Sequence, residues 1–206
     1  MKTQLKFQKI LTMVSLIISA LVFVYGLIFF SGNLSGDGLL AYINDAYGDA
    51  RVDYKADGFL QPAQTFNKAL IIIAIVGILV AVTLFITSCN TRRNYYVTNY
   101  VAIGLNVVMG LVVAMFLIIN ISILMSYFYG KVDWDAIFAH AESRKEAKRE
   151  YADKLSKSPA IFIIGYVVSI LTLANAAAWI LNLIWKLKLM KGEKQLLQNG
   201  LVKEVA

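Results

Sequence analysis

The sequence predicts an all-α polytopic membrane protein: a four-transmembrane-helix antiparallel bundle with a small helical extracytoplasmic cap. Three observations carry that prediction. Of 206 residues, 59% are hydrophobic and only 16% charged, against about 25% charged residues in an ordinary soluble domain. Four runs, near 10–31, 68–89, 95–129 and 159–186, are apolar over at least the roughly 20 residues needed to cross hydrocarbon. Two longer polar segments, 32–67 and 130–158, alternate with a tight connection at 90–94, so successive spans are expected to reverse direction. The chain reads as one membrane domain over 1–206, with a basic tail at 187–206.

The first span follows Lys2, Lys6 and Lys9. Its apolar core exceeds the 7–15 residues of a secretory signal and ends in Leu-Ile-Phe-Phe without a small-residue cleavage site, so it is expected to be retained. Thr12, Ser15, Ser19 and Gly26 share one of its faces, and small residues on one face let helices approach closely in lipid. The loop 32–67 is acidic, with Asp37, Asp45, Asp49, Asp53 and Asp57 opposing Arg51 and Lys55. Its aspartates do not follow the register of an EF-hand, so a solvated acidic loop is expected rather than a calcium site. Pro62 is read as punctuation before the second span, which carries Ala74, Gly77 and Ala81 on one face.

The stretch 94–130 has no ionisable acid or base and is the longest of the four. Arg92 and Arg93 precede it, and Tyr95, Tyr96 and Tyr100 at one end with Tyr127 and Tyr129 at the other match interfacial aromatic belts. Asn106 and Asn120 lie two heptads apart on nearly the same face, with Gly110 between them. In the loop 130–158, Asp133 is placed to cap a helix whose later part alternates charge. Arg144, Lys145, Lys148 and Arg149 form its basic face. The two loops are each too short to fold alone, and their opposite charge favours mutual docking into one cap. The fourth span pairs Asn175 with Asn182 one heptad on, Ala178 between them, and sets Gly165 and Ser169 on an adjacent face. The tail, from Lys186, is expected to snorkel and to break at Gly192 and Gly200.

Lys and Arg divide evenly, ten in the termini and the Arg92–Arg93 turn and ten in the long loops with Lys68. The short segments hold theirs more densely and with fewer opposing acids, which places both termini in the cytoplasm and both long loops outside. The net charge of +7 is scattered beside the spans. It therefore points to the bilayer and to anionic lipid headgroups at the cytoplasmic face, and away from nucleic acid.

Intramembrane catalysis needs residues that the spans lack. They contain no Asp, His or Glu, which removes aspartyl, serine–histidine and zinc peptidase chemistry, and the single Cys89 removes a dithiol oxidoreductase. His140, alone in the outer loop, reads as a surface residue. No cofactor or metal site is expected. With no acid or base inside the spans, coupled transport is disfavoured; Asn106, Asn120, Asn175 and Asn182 then read first as interhelical glue and second as the lining of a polar path. The layout resembles that of tetraspan families such as tetraspanins and claudins. Their motifs are not matched: there is no Cys-Cys-Gly, and the first loop has no Trp or Cys. The resulting expectation is a non-enzymatic accessory or scaffold subunit of a bacterial plasma membrane, packing with itself or a larger membrane complex. The alternative is a small channel or transport subunit formed on oligomerisation.

Overall fold

The computed structural model describes residues 2–31, 57–89, 97–135, 150, 153–154 and 158–198. Four helices dominate them: α1 (Lys2–Phe29), α2 (Asp57–Cys89), α3 (Val97–Gly130) and α4 (Ala160–Gln198). Each is long and apolar enough to cross a membrane, so the chain is a multi-pass membrane protein with an all-helical fold among the described residues. Only 28–44% of the most apolar window of each helix is buried within the chain. The outward remainder includes Ile17, Ile72, Leu79, Leu105, Ile119, Ile170 and Leu181, a surface suited to lipid rather than water.

The helices run further than the apolar runs predict. α1 begins at Lys2 because Gln4 and Gln8 continue its inner face at helical spacing. α2 begins at Asp57 and carries Pro62 inside it, where the reading from sequence has loop until 67. Pro62 is the sixth residue of this helix, beyond the four N–H groups that a helix start leaves without intrahelical partners, so it removes one bond from the ladder, a loss that spanning helices tolerate where neighbouring groups satisfy the freed carbonyl. α4 passes through Gly192 without a break, since a helical glycine costs only about 1 kcal/mol against alanine. The expected outer helix with Arg144, Lys145, Lys148 and Arg149, the Arg92–Arg93 turn, His140 and Gly200 lie outside the described residues. From the second loop, Glu150 and Lys154 form an exposed i,i+4 ion pair of 2.6 Å, which holds the Glu150 carboxyl below its usual range.

All four helices contribute to each of two compact units. The first comprises Met1–Ser19, Gly77–Val112 and Leu171–Ala206. One apolar cluster there takes Leu11 from α1, Leu84 from α2, Ala102 and Ile103 from α3 and Trp179 from α4, with Ala178 packed against it. Of the small residues singled out in the sequence, Gly110 marks a tight helix contact and Gly77 an ordinary one. A Cβ added to Gly110 would lie 3.2 Å from the Ala176 Cβ, and one on Gly77 would lie 3.9 Å from the Ser19 hydroxyl. Ala81 is fully buried.

The second unit comprises Ala20–Val76 and Val113–Ile170, and its interior is aromatic. Tyr25, Phe29, Phe66 and Phe116 follow one another at centroid distances of 6.3, 5.1 and 5.6 Å, and Phe128 contacts both Trp134 and Phe162. Gly26 lets α2 approach α1 closely enough for Asn67 to donate to the Gly26 carbonyl at 2.8 Å, while Ala74 is buried nearby on α2. α3 ends at Gly130, where the Trp134 indole N–H donates to the Phe128 carbonyl at 2.8 Å. That bond satisfies one of the carbonyls a helix C-terminus leaves without a partner. Ser169 donates to the Gly165 carbonyl of its own helix.

Gly165 marks the closest approach in this unit. A Cβ there would collide with Ile121 Cδ1 and lie 2.5 Å from the Tyr25 hydroxyl. That hydroxyl is buried and has no hydrogen-bond partner among the described residues, a state that carries an uncompensated desolvation penalty. Gly165→Ala is therefore expected to destabilise the protein by about 1–3 kcal/mol, whereas Gly104→Ala, with nothing within 4 Å of its Cβ, should be neutral or mildly stabilising. Tyr25→Phe should stabilise by about 1 kcal/mol. Unfolding in mild detergent checks all three; equal behaviour of the two glycine variants contradicts the packing account.

Candidate functional site

The most distinctive chemistry lies in the interior of the first unit, where side chains from all four helices form a hydrogen-bonded layer. α1 supplies Gln4 and Gln8, α2 Thr87 and Ser88, α3 Asn99, and α4 Asn182 and Lys186. All seven are buried. They sit there because each belongs to its helix's inner stripe. Gln4 and Gln8 precede Ser15 at four- and seven-residue steps, Asn99 is one heptad before Asn106, and Lys186 is one turn beyond Asn182.

Asn99 is the hub. Its amide nitrogen donates to Thr87 Oγ1 and Ser88 Oγ, both at 3.1 Å. Its carbonyl oxygen accepts from Lys186 Nζ at 2.6 Å and from Gln8 Nε2 at 3.2 Å. An amide has two donor hydrogens and two acceptor sites, so Asn99 is saturated. Gln8 is saturated as well. Its nitrogen donates to Asn99 and to Ser88 at 3.0 Å, and its oxygen accepts from Gln4 at 2.9 Å and Asn182 at 3.4 Å. Gln4 spends its second hydrogen on Asn182 Oδ1 at 3.0 Å. The Lys186 amine also lies over the Tyr100 ring, 4.2 Å from its centroid, a cation–π arrangement. Tyr100 in turn contacts Met190.

A second polar cluster in the same unit centres on Ser15. Its hydroxyl accepts from Trp179 Nε1 at 2.7 Å and from Asn175 Nδ2 at 3.0 Å, with Asn106 Nδ2 at 3.4 Å. A hydroxyl has two acceptor lone pairs, so the two short contacts use them and Asn106 is held most weakly.

The four asparagines chosen from sequence thus divide three ways. Asn106 and Asn175 meet through Ser15. Asn182 joins the glutamine layer instead. Asn120 belongs to the second unit, is only half-buried, and donates to the Phe116 carbonyl of its own helix at 2.8 Å.

Sequence reasoning did not single out Gln4, Gln8, Asn99 or Lys186: the glutamines precede the first apolar run, Asn99 stands beside the tyrosines at the start of the third, and Lys186 was read as the first residue of the basic tail. The structure also corrects the expectation that the spans hold no ionisable base and that Lys186 snorkels. Lys186 is 1% exposed and lies within the fourth apolar helix. Its signal was present in the spacing: four residues past Asn182, it continues the asparagine face.

No known protein family, curated protein or solved structure matches the chain. Its chemistry is therefore read from these side chains alone. Among the described residues, no group of three or more His, Cys, Asp or Glu lies close enough to hold a metal ion. Amides, hydroxyls and one amine make a network that fixes helix register, each interhelical bond contributing about 0.6 kcal/mol in membrane proteins on average.

Loss of the hub should be worse than loss of the amine. Asn99→Leu breaks four bonds and strands buried donors, at an expected cost of about 2–3 kcal/mol, whereas Lys186→Met removes one donor and keeps the volume, at about 1 kcal/mol or less. Unfolding measured in bicelles checks the order, and the reverse order contradicts Asn99 as hub.

Proposed function

We propose that the chain is a non-enzymatic accessory or scaffold subunit of a plasma membrane, packing with itself or with a larger membrane complex. The observation that carries this reading is the saturation of the polar interior. Asn99 and Gln8 spend every amide donor and acceptor on side chains of the same chain, so what they bind is the bundle itself. Its activity is then exerted through its outward apolar faces and its ends. The outward apolar surface suits contacts with neighbouring spans and with lipid.

In this reading the four helices form an antiparallel bundle with a small helical cap, both termini cytoplasmic and loops 32–67 and 130–158 outside. Within the first unit, Gln4 meets Asn182 while Ser15 meets Asn175, and Gln8 meets Ser88 while Ser19 meets Gly77. Within the second, Phe128 meets Phe162 while Ser122 meets Tyr166. Each pairing runs in opposite directions along its two helices and supports the antiparallel arrangement. The basic ends would then meet anionic lipid headgroups at the cytoplasmic face.

A second reading, a small channel or transport subunit on oligomerisation, is favoured by Lys186. An amine buried within an apolar helix is the kind of residue that marks ion and substrate paths in membranes.

The readings separate in two measurements. As a scaffold, the protein should co-purify in mild detergent with a second membrane protein or as a defined homo-oligomer, and its native mass should give the stoichiometry. Reconstituted alone it should pass no ions; a conductance abolished by Lys186→Met, or by Asn106→Leu with Asn175→Leu, transfers support to the transport reading. The orientation is tested at Cys89, the single cysteine, which is exposed at the end of α2. A membrane-impermeant maleimide should label it only after cells are permeabilised, and labelling of intact cells would invert the assignment.

A further inference from the structure

The second unit holds an open crevice of about 390 Å³ lined by Gln61, Pro62, Thr65, Phe66 and Ala69 of α2 and by Phe116 and Asn120 of α3. We propose that it is a binding site for the glycerol-ester region of a neutral membrane lipid, with the adjoining part of an acyl chain lying against the phenylalanines. The hydrogen-bonding side chains there are left over by the fold. Thr83, Thr87, Ser122 and Ser169 each turn their hydroxyl back onto a carbonyl of their own helix. Thr65 makes no such bond, and neither its hydroxyl nor the Gln61 amide has a partner among the described residues. Asn120 commits one amide hydrogen to the Phe116 carbonyl, leaving its second hydrogen and its oxygen for another group. Polar groups facing hydrocarbon are costly unless paired, so this crevice calls for an occupant that brings hydrogen-bonding atoms of its own.

The shape of the lining selects the class. Gln61 is the first residue of the second apolar span; Thr65 is about one turn deeper and Ala69 one turn deeper again, about 12 Å from Gln61 along the helix. Polarity falls in the same direction, from an amide and a hydroxyl to Ala69. The Phe66 and Phe116 rings stack at 5.6 Å with 16° between their planes and make that side of the lining apolar. An ester-bearing glycerol at the edge of the hydrocarbon, continuing into an acyl chain, has this gradient built in. Among the described residues no Lys, Arg, Asp or Glu lines the crevice, and a neutral diacylglycerol, which needs no cation for a phosphate, fits that lining.

The test uses the full-length protein reconstituted in phosphatidylcholine vesicles with a diacylglycerol carrying a photoreactive diazirine in one acyl chain. Crosslinks should concentrate on the peptides holding Phe66–Ala69 and Phe116, and unlabelled diacylglycerol should compete them away. Thr65→Val with Asn120→Leu should lower the crosslink yield roughly five- to tenfold, the loss of two weak membrane hydrogen bonds. Ala69→Trp, which fills the crevice without touching its polar groups, should lower it as well and serves if the double variant does not fold. Ser122→Ala, which removes a hydroxyl from α3 away from the crevice, should leave the yield unchanged. Label spread evenly over the outward helix faces and insensitive to Thr65→Val with Asn120→Leu and to Ala69→Trp would overturn the site. Stronger competition by an isoprenoid alcohol or quinone than by diacylglycerol would overturn the ligand.

Discussion

Hydrocarbon offers no hydrogen bonds, so a polar side chain inside a membrane helix must find its partner on another part of the protein. Asn99 meets that constraint with four bonds to three other helices, and the rest of the first unit is arranged around it. Sliding any one helix by a turn, about 5.4 Å, separates it from the hub. The apolar contacts in the same unit discriminate less sharply, because Leu11, Leu84, Ile103 and their neighbours would still meet other apolar side chains after such a slip. The register is thus held by polar geometry, while van der Waals contact and lipid exclusion supply most of the attraction.

The second unit reaches specificity by shape. Gly26 and Gly165 remove the side chains that would hold helices apart, and aromatic rings fill the spaces that remain. Overpacking penalties are steep at such contacts, so a wrong register is resisted by collision rather than by lost bonds. The Tyr25 hydroxyl is the exception in an interior whose buried Asn67 and Ser169 each donate to a backbone carbonyl. Its ring is well packed, and its oxygen is buried without a partner among the described residues.

Four spanning helices were legible because long uncharged runs such as 94–130 have few alternatives in a chain this apolar. Several small residues, among them Gly26, Gly110 and Gly165, were legible from heptad spacing, which survives in any straight helix. Helix ends were not legible. Apolarity marks where lipid begins, whereas the ladder of backbone bonds continues as long as residues tolerate it, as through Lys6, Pro62 and Gly192. The polar layer was half-visible for the same reason. Asn106, Asn175 and Asn182 stood out against an apolar background, while Gln4 and Lys186 sat among basic flanking residues and Asn99 beside the tyrosines that open the third run, and they could be recognised only by following each helix's inner face to its end. Asn120 shares its face with Asn106 in the sequence, yet it bonds within its own helix, because spacing fixes direction around a helix and says nothing about what waits opposite.

Gln4 and Asn182 are bonded across 178 positions of chain, which bears on how the protein is made. α1 enters the membrane first and α4 last, so during synthesis the glutamines and Asn99 lie among lipid tails without the final members of their network. A chain arrested before its fourth helix displays unpaired amides within the bilayer, and only the finished chain conceals them. The pairing of these amides is therefore complete only when all four helices are present, and the finished chain differs from an unfinished one in its hydrogen bonding.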